Sequence, residues 1–172
     1  LAKLRAHAAS SPYESIEGIF VEDLGKKPDE LFATFERQAF ASASLGQVHR
    51  ATDAEGNKLA VKVQHPGIQK AFAGDLENAT TFGRVATSFI MPEDTSKAFI
   101  DGVKKGFLAE LDYVQEAANM RTFERLLAGD PDLETPHVVD ERSSGRVLTT
   151  SFLRGDVVEV ARGYDIETKR RQ

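Results

Sequence analysis

The stretch Phe40-Ala-Ser-Ala-Ser-Leu-Gly-Gln-Val-His-Arg-Ala51, followed by a polar turn and then Leu59-Ala-Val-Lys-Val-Gln64, decides how the rest of the chain reads. It predicts a loop of small residues, a short strand through Val48, a turn over Asp53 to Asn57, and a buried strand from Leu59 to Val63. Gly56-Asn57 supplies the permissive backbone of the turn. Lys62 lies inside the second strand, flanked by Val61 and Val63. Strand side chains alternate, so the ammonium points to the face opposite the two valines, where burial without a partner is costly. Either that face is wet or an anion stands on it.

Two anions suit such a lysine: a carboxylate from a neighbouring helix, and the phosphates of a nucleotide. The protein-kinase arrangement gives both to a lysine on its third strand. Kinases cover the phosphates with a glycine-rich loop, whereas this chain has Ala41-Ser42-Ala43-Ser44-Leu45-Gly46-Gln47. Backbone N–H groups of such a loop still reach a phosphate, but alanine and serine make it stiffer than glycine would.

Four ordered segments carry a family resemblance: Phe40 to His49, Leu59 to Gly67, Glu110-Leu-Asp-Tyr-Val-Gln-Glu-Ala117, and Arg146-Val-Leu-Thr-Thr150. Together they resemble the UbiB family of atypical protein-kinase-like proteins, the AarF-domain kinases, from about Phe32 to Gly155, and within it the coenzyme Q branch. The resemblance implies an α+β fold, a kinase-like N-terminal lobe with a small antiparallel sheet and long helices. It also implies a helical extension over residues 1–34, the lobe over 35–155 with an inserted helix at 68–90, and a hinge with the start of a C-lobe over 156–172. By the same resemblance Glu116 pairs with Lys62, Ala41 to Gln47 lie over ATP or ADP, and Thr150 limits the back of the pocket. Phe152 and Leu153 follow as hinge residues that contact the base. Glu110 and Asp112 match a Glu-x-Asp motif that faces the helical extension. Ser42 and Ser151 depart from the family pattern, which more often has alanine and an acid there.

Composition narrows the alternatives. The 172 residues suffice for one domain with a core, and 22 Lys+Arg against 27 Asp+Glu leave a net charge of -5, which argues against a nucleic-acid partner. The chain has no cysteine, so neither disulfides nor thiolate metal sites are available. His7, His49, His65 and His137 show no paired helical spacing of a metal site. There is no run of about twenty apolar residues and no signal-peptide pattern. The absence of an initiating Met and the ending in Lys169-Arg-Arg-Gln172 read as a piece of a longer protein.

Before the loop, Leu1 to His7 reads as a helix end, and a helix follows with Ser11 as N-cap, Pro12 at its first position and Ile16, Ile19, Phe20 and Leu24 on one face up to Gly25. A second short helix is predicted from Pro28 through Phe35. After Lys62, Gln64 to Gly67 turns into a helix from Ile68 to Ile90 with a stripe of Phe72, Leu76, Phe82, Val85, Ala86 and Phe89. Another, capped by Asp94 or Thr95, is predicted to run to Leu127 with Ile100, Val103, Phe107, Leu111, Val114 and Ala118 on its apolar face. In one continuous helix Asp112 and Glu116 share a side, and Glu110 is rotated from Glu116 by roughly a third of a turn. Spacing alone favours reading these acids as a solvated face; the resemblance shifts that weight toward Glu116 as the partner of Lys62. Two strands, Pro136 to Val139 and Val147 to Phe152, lead to a hinge at Arg154-Gly155.

The functional expectation is the ATP-binding N-lobe of an atypical kinase or ATPase with a role in ubiquinone biosynthesis. The resemblance implies magnesium held by a C-lobe, association with lipid or membrane through other parts, and a place at the bacterial cytoplasmic membrane or the mitochondrial matrix side. No catalytic-loop Asp and no Asp-Phe-Gly occur in this chain, so alone it is expected not to catalyse. Two alternatives stand beside this: a non-catalytic nucleotide-sensing scaffold, and a plain interaction domain.

Overall fold

The computed structural model describes residues 10–42, 45–70, 102, 105–106, 108–130, 132–153 and 155. The centre of the fold is an antiparallel sheet of β1 (Thr34–Phe35), β2 (Ala41–Ser42), β3 (Gly46–Thr52), β4 (Lys58–Gln64) and β5 (Val147–Ser151). The edge is a strand interrupted in the middle. β1 pairs with the outer half of β3 (Thr34 opposite Thr52) and β2 with its inner half (Ala41 opposite Val48). Residues 36–40 bulge between them, held at both ends by Glu36 N–H on Arg50 O and Phe40 N–H on Val48 O. β3 and β4 form the hairpin read from the sequence, with Gly56 at φ 84° and the Asp53 carboxylate accepting from the N–H and side-chain amide of Asn57. β5 closes the order β3-β4-β5.

Register assigns every sheet side chain to a face, because residues directly opposite in antiparallel strands project the same way. One face carries the rows Gln47-Val63-Val147, His49-Val61-Thr149 and Ala51-Leu59-Ser151. Helix α1 (Tyr13–Leu24) packs here, and Ile16, Ile19 and Phe20 join Ala51, Leu59, Val61, Val63 and Val147 in one core. The expected apolar spacing and the stop at Gly25, φ 69°, are both present. The helix starts one residue later than its sequence signals imply, however, with Pro12 as N-cap. Ser11 is diverted: its N–H donates to Gln47 Oε1 at 2.6 Å and its hydroxyl meets His65 Nδ1 at 2.9 Å.

The predicted helix from Pro28 through Phe35 is shorter. α2 spans Pro28–Leu31, and Thr34–Phe35 join the sheet instead. The β-branched threonine and the aromatic Phe35 are better served by β3 and the core, where Phe35 stacks on His49 with ring centres 4.9 Å apart. The second large helix also differs. Among the described residues helix continues to Glu110, breaks at Leu111 and Asp112, and restarts as α3 (Tyr113–Leu127). The break resets the helical phase by a residue: Tyr113 and Ala117 are buried, while Val114 and Ala118 of the expected apolar face are exposed. Asp112 causes it, since its carboxylate accepts from Val114 N–H (3.0 Å) and Gln115 N–H (3.2 Å) as an N-cap. In place of a strand from Pro136 to Val139, Val138 alone bridges to Thr150, and a 3-10 helix follows at Asp140–Arg142. β5 stops at Ser151 rather than Phe152.

The helix expected at Ile68 begins there. Its stripe from Phe72 to Phe89 lies outside the described residues, as do Leu1 to His7, Ile100, Val103, Phe107, Arg154 and residues 156–172.

Gly46 starts β3 under tight packing. A methyl added there would lie 2.5 Å from the Val63 carbonyl oxygen and 2.8 Å from the Tyr113 hydroxyl. Backbone cannot yield as a flexible side chain does, so Gly46→Ala is expected to cost about 1–3 kcal/mol. Urea unfolding of the full-length protein checks this, and a loss within the error of the midpoint would contradict it.

Candidate functional site

The opposite face of the sheet carries the rows Val48-Lys62-Leu148 and Arg50-Ala60-Thr150. α3 covers its Leu148 end, where Tyr113, Ala117, Val138 and Leu148 form a second core with Met120 beside it. Glu116, in the first turn of α3, is thereby brought over Lys62. The ammonium lies 2.8 Å from Oε1 and 2.7 Å from Oε2, a symmetric two-oxygen contact. It also sits 4.5 Å from the centre of the Tyr113 ring. Burial pushes the Tyr113 phenol up from its ordinary pKa and Glu116 adds to this, so the hydroxyl keeps its proton.

The Lys62 and Glu116 side chains are 29% and 37% exposed, so the pair is neither sealed nor free in solvent. It opens into a cleft of about 450 Å3 lined by Leu45, Lys62, Glu110, Tyr113, Gln115, Glu116 and Asn119 among others. An anion entering this cleft meets an ammonium already oriented. That arrangement suits a phosphate, which takes one face of the cation while the carboxylate keeps the other.

The remaining sequence-derived residues divide. Ala41 and Ser42 form β2, Leu45 precedes β3 and Gly46 starts it, so both ends of the small-residue stretch are strand. Ala43 and Ser44 lie outside the described residues. Gln47 turns to the other face, where it is buried, takes the Ser11 N–H and places its amide 2.9 Å from His49 Nε2. His49 Nδ1 lies 2.8 Å from the Glu36 carbonyl, so that nitrogen carries the proton and Nε2 accepts. Burial holds the imidazole below its ordinary pKa, consistent with a neutral ring.

Thr150 is buried on the Lys62 face, opposite Ala60. Phe152 follows β5 with its N–H donated to Lys58 O, and Leu153 is half-buried. Glu110 lines the Lys62 cleft. Asp112 lines a different one, with Glu22 and Asp23 at the end of α1. The two acids of the Glu-x-Asp pair thus line different clefts. Val48 and Ala60, half-buried on the Lys62 face, are neighbours of the pair that the sequence reading passed over. Alternation along Leu59-Ala-Val-Lys62 was signal enough to place Ala60 there.

Among the described residues no group of three His, Asp or Glu side chains stands together to hold a metal, and no helix is long and apolar enough to cross a membrane.

A family model, the ABC1 atypical kinase-like domain, matches residues 3–171. The chain belongs to the ABC1 atypical kinase-like family. Among relatives of this ABC1 domain are the atypical kinase coq-8, mitochondrial, of Caenorhabditis elegans, 34% identical over 91% of this chain and 21% of that protein. The AarF domain-containing protein kinase 1 of Xenopus tropicalis is 34% identical over 92% of this chain and 30% of its own length. A solved structure, Rv3197 of Mycobacterium tuberculosis in complex with erythromycin, superposes with a TM-score of 0.78 at 32% identity. That match covers 98% of this chain and 42% of the solved one. The ABC1 chain thus spans less than half of the relatives it matches. Its antiparallel sheet with α3 against Lys62 is the N-lobe-like part of the kinase-like fold.

Proposed function

We propose that this chain is the nucleotide-binding N-lobe of an atypical kinase or ATPase acting in coenzyme Q biosynthesis. The observation that carries the reading is the Lys62–Glu116 pair, poised on the open face of the sheet. ATP, as its magnesium complex, would supply the phosphoryl group. Lys62 would hold the α- and β-phosphates, with Glu116 fixing the ammonium from the other side. Val48 and Ala60 would form the apolar floor for the base, and Ala41 to Gly46 would cover the phosphates through their backbone. Thr150 would bound the back of the site. The Phe152 N–H is engaged by Lys58 O, which leaves Leu153 as the hinge donor toward the base. Metal ligands are expected from a C-lobe, as are the groups that position the nucleophile.

The coenzyme Q role and a mitochondrial or bacterial-membrane location rest on the family and on relatives named coq-8 and COQ8B, both called mitochondrial. Lipid or membrane association belongs to the same expectation. The net charge of -5 favours a nucleotide-binding protein over a nucleic-acid binder.

The test is thermal unfolding of the full-length protein with magnesium and ATP or ADP. Ligand at a hundred times its Kd stabilises the folded state by about 2.7 kcal/mol. A shift of several degrees with either nucleotide is expected. No shift with either at millimolar concentration would overturn the reading.

A further inference from the structure

Beyond Lys62, the same face ends in a cluster that the phosphate site does not use. The Arg50 guanidinium lies 4.4 Å from the centre of the Phe40 ring and 6.0 Å from that of Phe152. The two rings meet edge to face at 5.8 Å. Phe40 is anchored by its N–H on Val48 O, and Phe152 by its N–H on Lys58 O. The cluster therefore joins the residue before β2 to the residue after β5. Glu36 supplies a second, looser contact to the guanidinium at 3.6 Å.

Register fixes where this cluster stands. Arg50 is in the row of Ala60 and Thr150, two residues along the strand from the row of Lys62, or about 7 Å outward. A nucleotide with its phosphates at Lys62 and its base on Ala60 extends in that direction, so its base and ribose end beside Arg50. Phe40 is 39% exposed and Arg50 half-exposed, so the guanidinium remains reachable from the face. A guanidinium is a planar cation that can stack on a base and donate hydrogen bonds from its edge.

We propose that Arg50, seated beside Phe40 and Phe152, is a specificity-determining residue that binds the nucleoside half of the ligand by stacking and edge donation. This rests on the nucleotide reading above. It predicts that Arg50 contributes to binding of ATP but not of inorganic triphosphate, which has no base or ribose.

Titration calorimetry on the full-length protein separates the possibilities. Arg50→Ala is expected to weaken ATP by about five- to tenfold, the size of a partly desolvated cation–π contact, while triphosphate binds as to the wild type. Arg50→Lys keeps the charge without the planar stack and is expected to weaken ATP almost as much. Equal losses for ATP and triphosphate would show that Arg50 acts only through charge or folding and would overturn the proposal, as would unchanged ATP binding in Arg50→Ala. Lys62→Ala serves as reference: if it weakens both ligands while Arg50→Ala alters neither, the proposal alone fails. If Lys62→Ala weakens neither, the nucleotide reading fails with it.

Discussion

On the proposed nucleotide reading, full-length protein carrying Lys62→Ala is expected to lose ATP turnover by about a hundredfold or more, the scale set by removing a preorganised charge from a transition state. Among the described residues the other cations on that face stand farther out, Arg50 one row away with its guanidinium 4.4 Å from the Phe40 ring centre and Lys58 two rows away. Glu116→Gln should do less, about tenfold, because an amide oxygen still accepts from the ammonium although the charge that orients it is gone. Glu116→Ala should fall between the two. It leaves Lys62 over the Tyr113 ring without the carboxylate that contacts its ammonium. Phosphate release under saturating ATP measures all three. Turnover within twofold of wild type in Lys62→Ala would mean that the phosphates are held elsewhere.

That ordering depends on Glu116 and Lys62 meeting, which the sequence suggested by motif together with the phase of one continuous helix. In a continuous helix Asp112 and Glu116 share a side. The N-cap at Asp112 removes Asp112 from that side and makes Tyr113 the first buried residue of a new helix. A break caused by one side chain capping two backbone N–H groups is a local signal, but the apolar residues on either side read as one stripe and hid it. The same limit applies to Thr34–Phe35: local spacing extended the preceding helix, whereas the sheet edge, which depends on β3 some seventeen residues later, claimed them. The β3–β4 hairpin was legible because everything it needs is local, from the alternation through β4 to Gly56-Asn57 in the turn. Gln47 was not. Its neighbours suggested a phosphate loop, and only tertiary placement shows its amide taking the Ser11 N–H beneath α1.

The contact that fastens α1 to the sheet was equally hidden, since its partners are more than a hundred residues apart, and it carries the second large effect. Arg146, just before β5, donates through Nε to Asp23 at 3.1 and 3.2 Å and through Nη2 to Glu22 at 2.8 Å, with a further Nη2 contact to Asp23. Ser144 donates to the same Asp23 carboxylate at 2.8 Å. Asp23 is 16% exposed and Arg146 28%, so removing the cation strands a largely buried carboxylate. Arg146→Ala is therefore expected to destabilise the fold by about 2–3 kcal/mol at neutral pH, just under the range for a fully buried pair because Ser144 still donates to Asp23. The pH dependence identifies the cause. Burial raises the Asp23 pKa, but the hydrogen bonds from Arg146 and Ser144 outweigh it and hold the carboxyl below its ordinary value. A folded-state value below the unfolded one contributes stability that is full above the unfolded pKa of about 3.9 and is lost as pH falls through the folded value. In Arg146→Ala only burial and Ser144 remain, the shift weakens or reverses, and acid no longer removes that contribution. The stability difference between wild type and Arg146→Ala, read from urea unfolding by circular dichroism, should therefore be largest near pH 7 and shrink toward pH 3. A gap that stays constant across this range would mean that Arg146 stabilises the protein through packing of its side chain rather than through the Asp23 carboxylate.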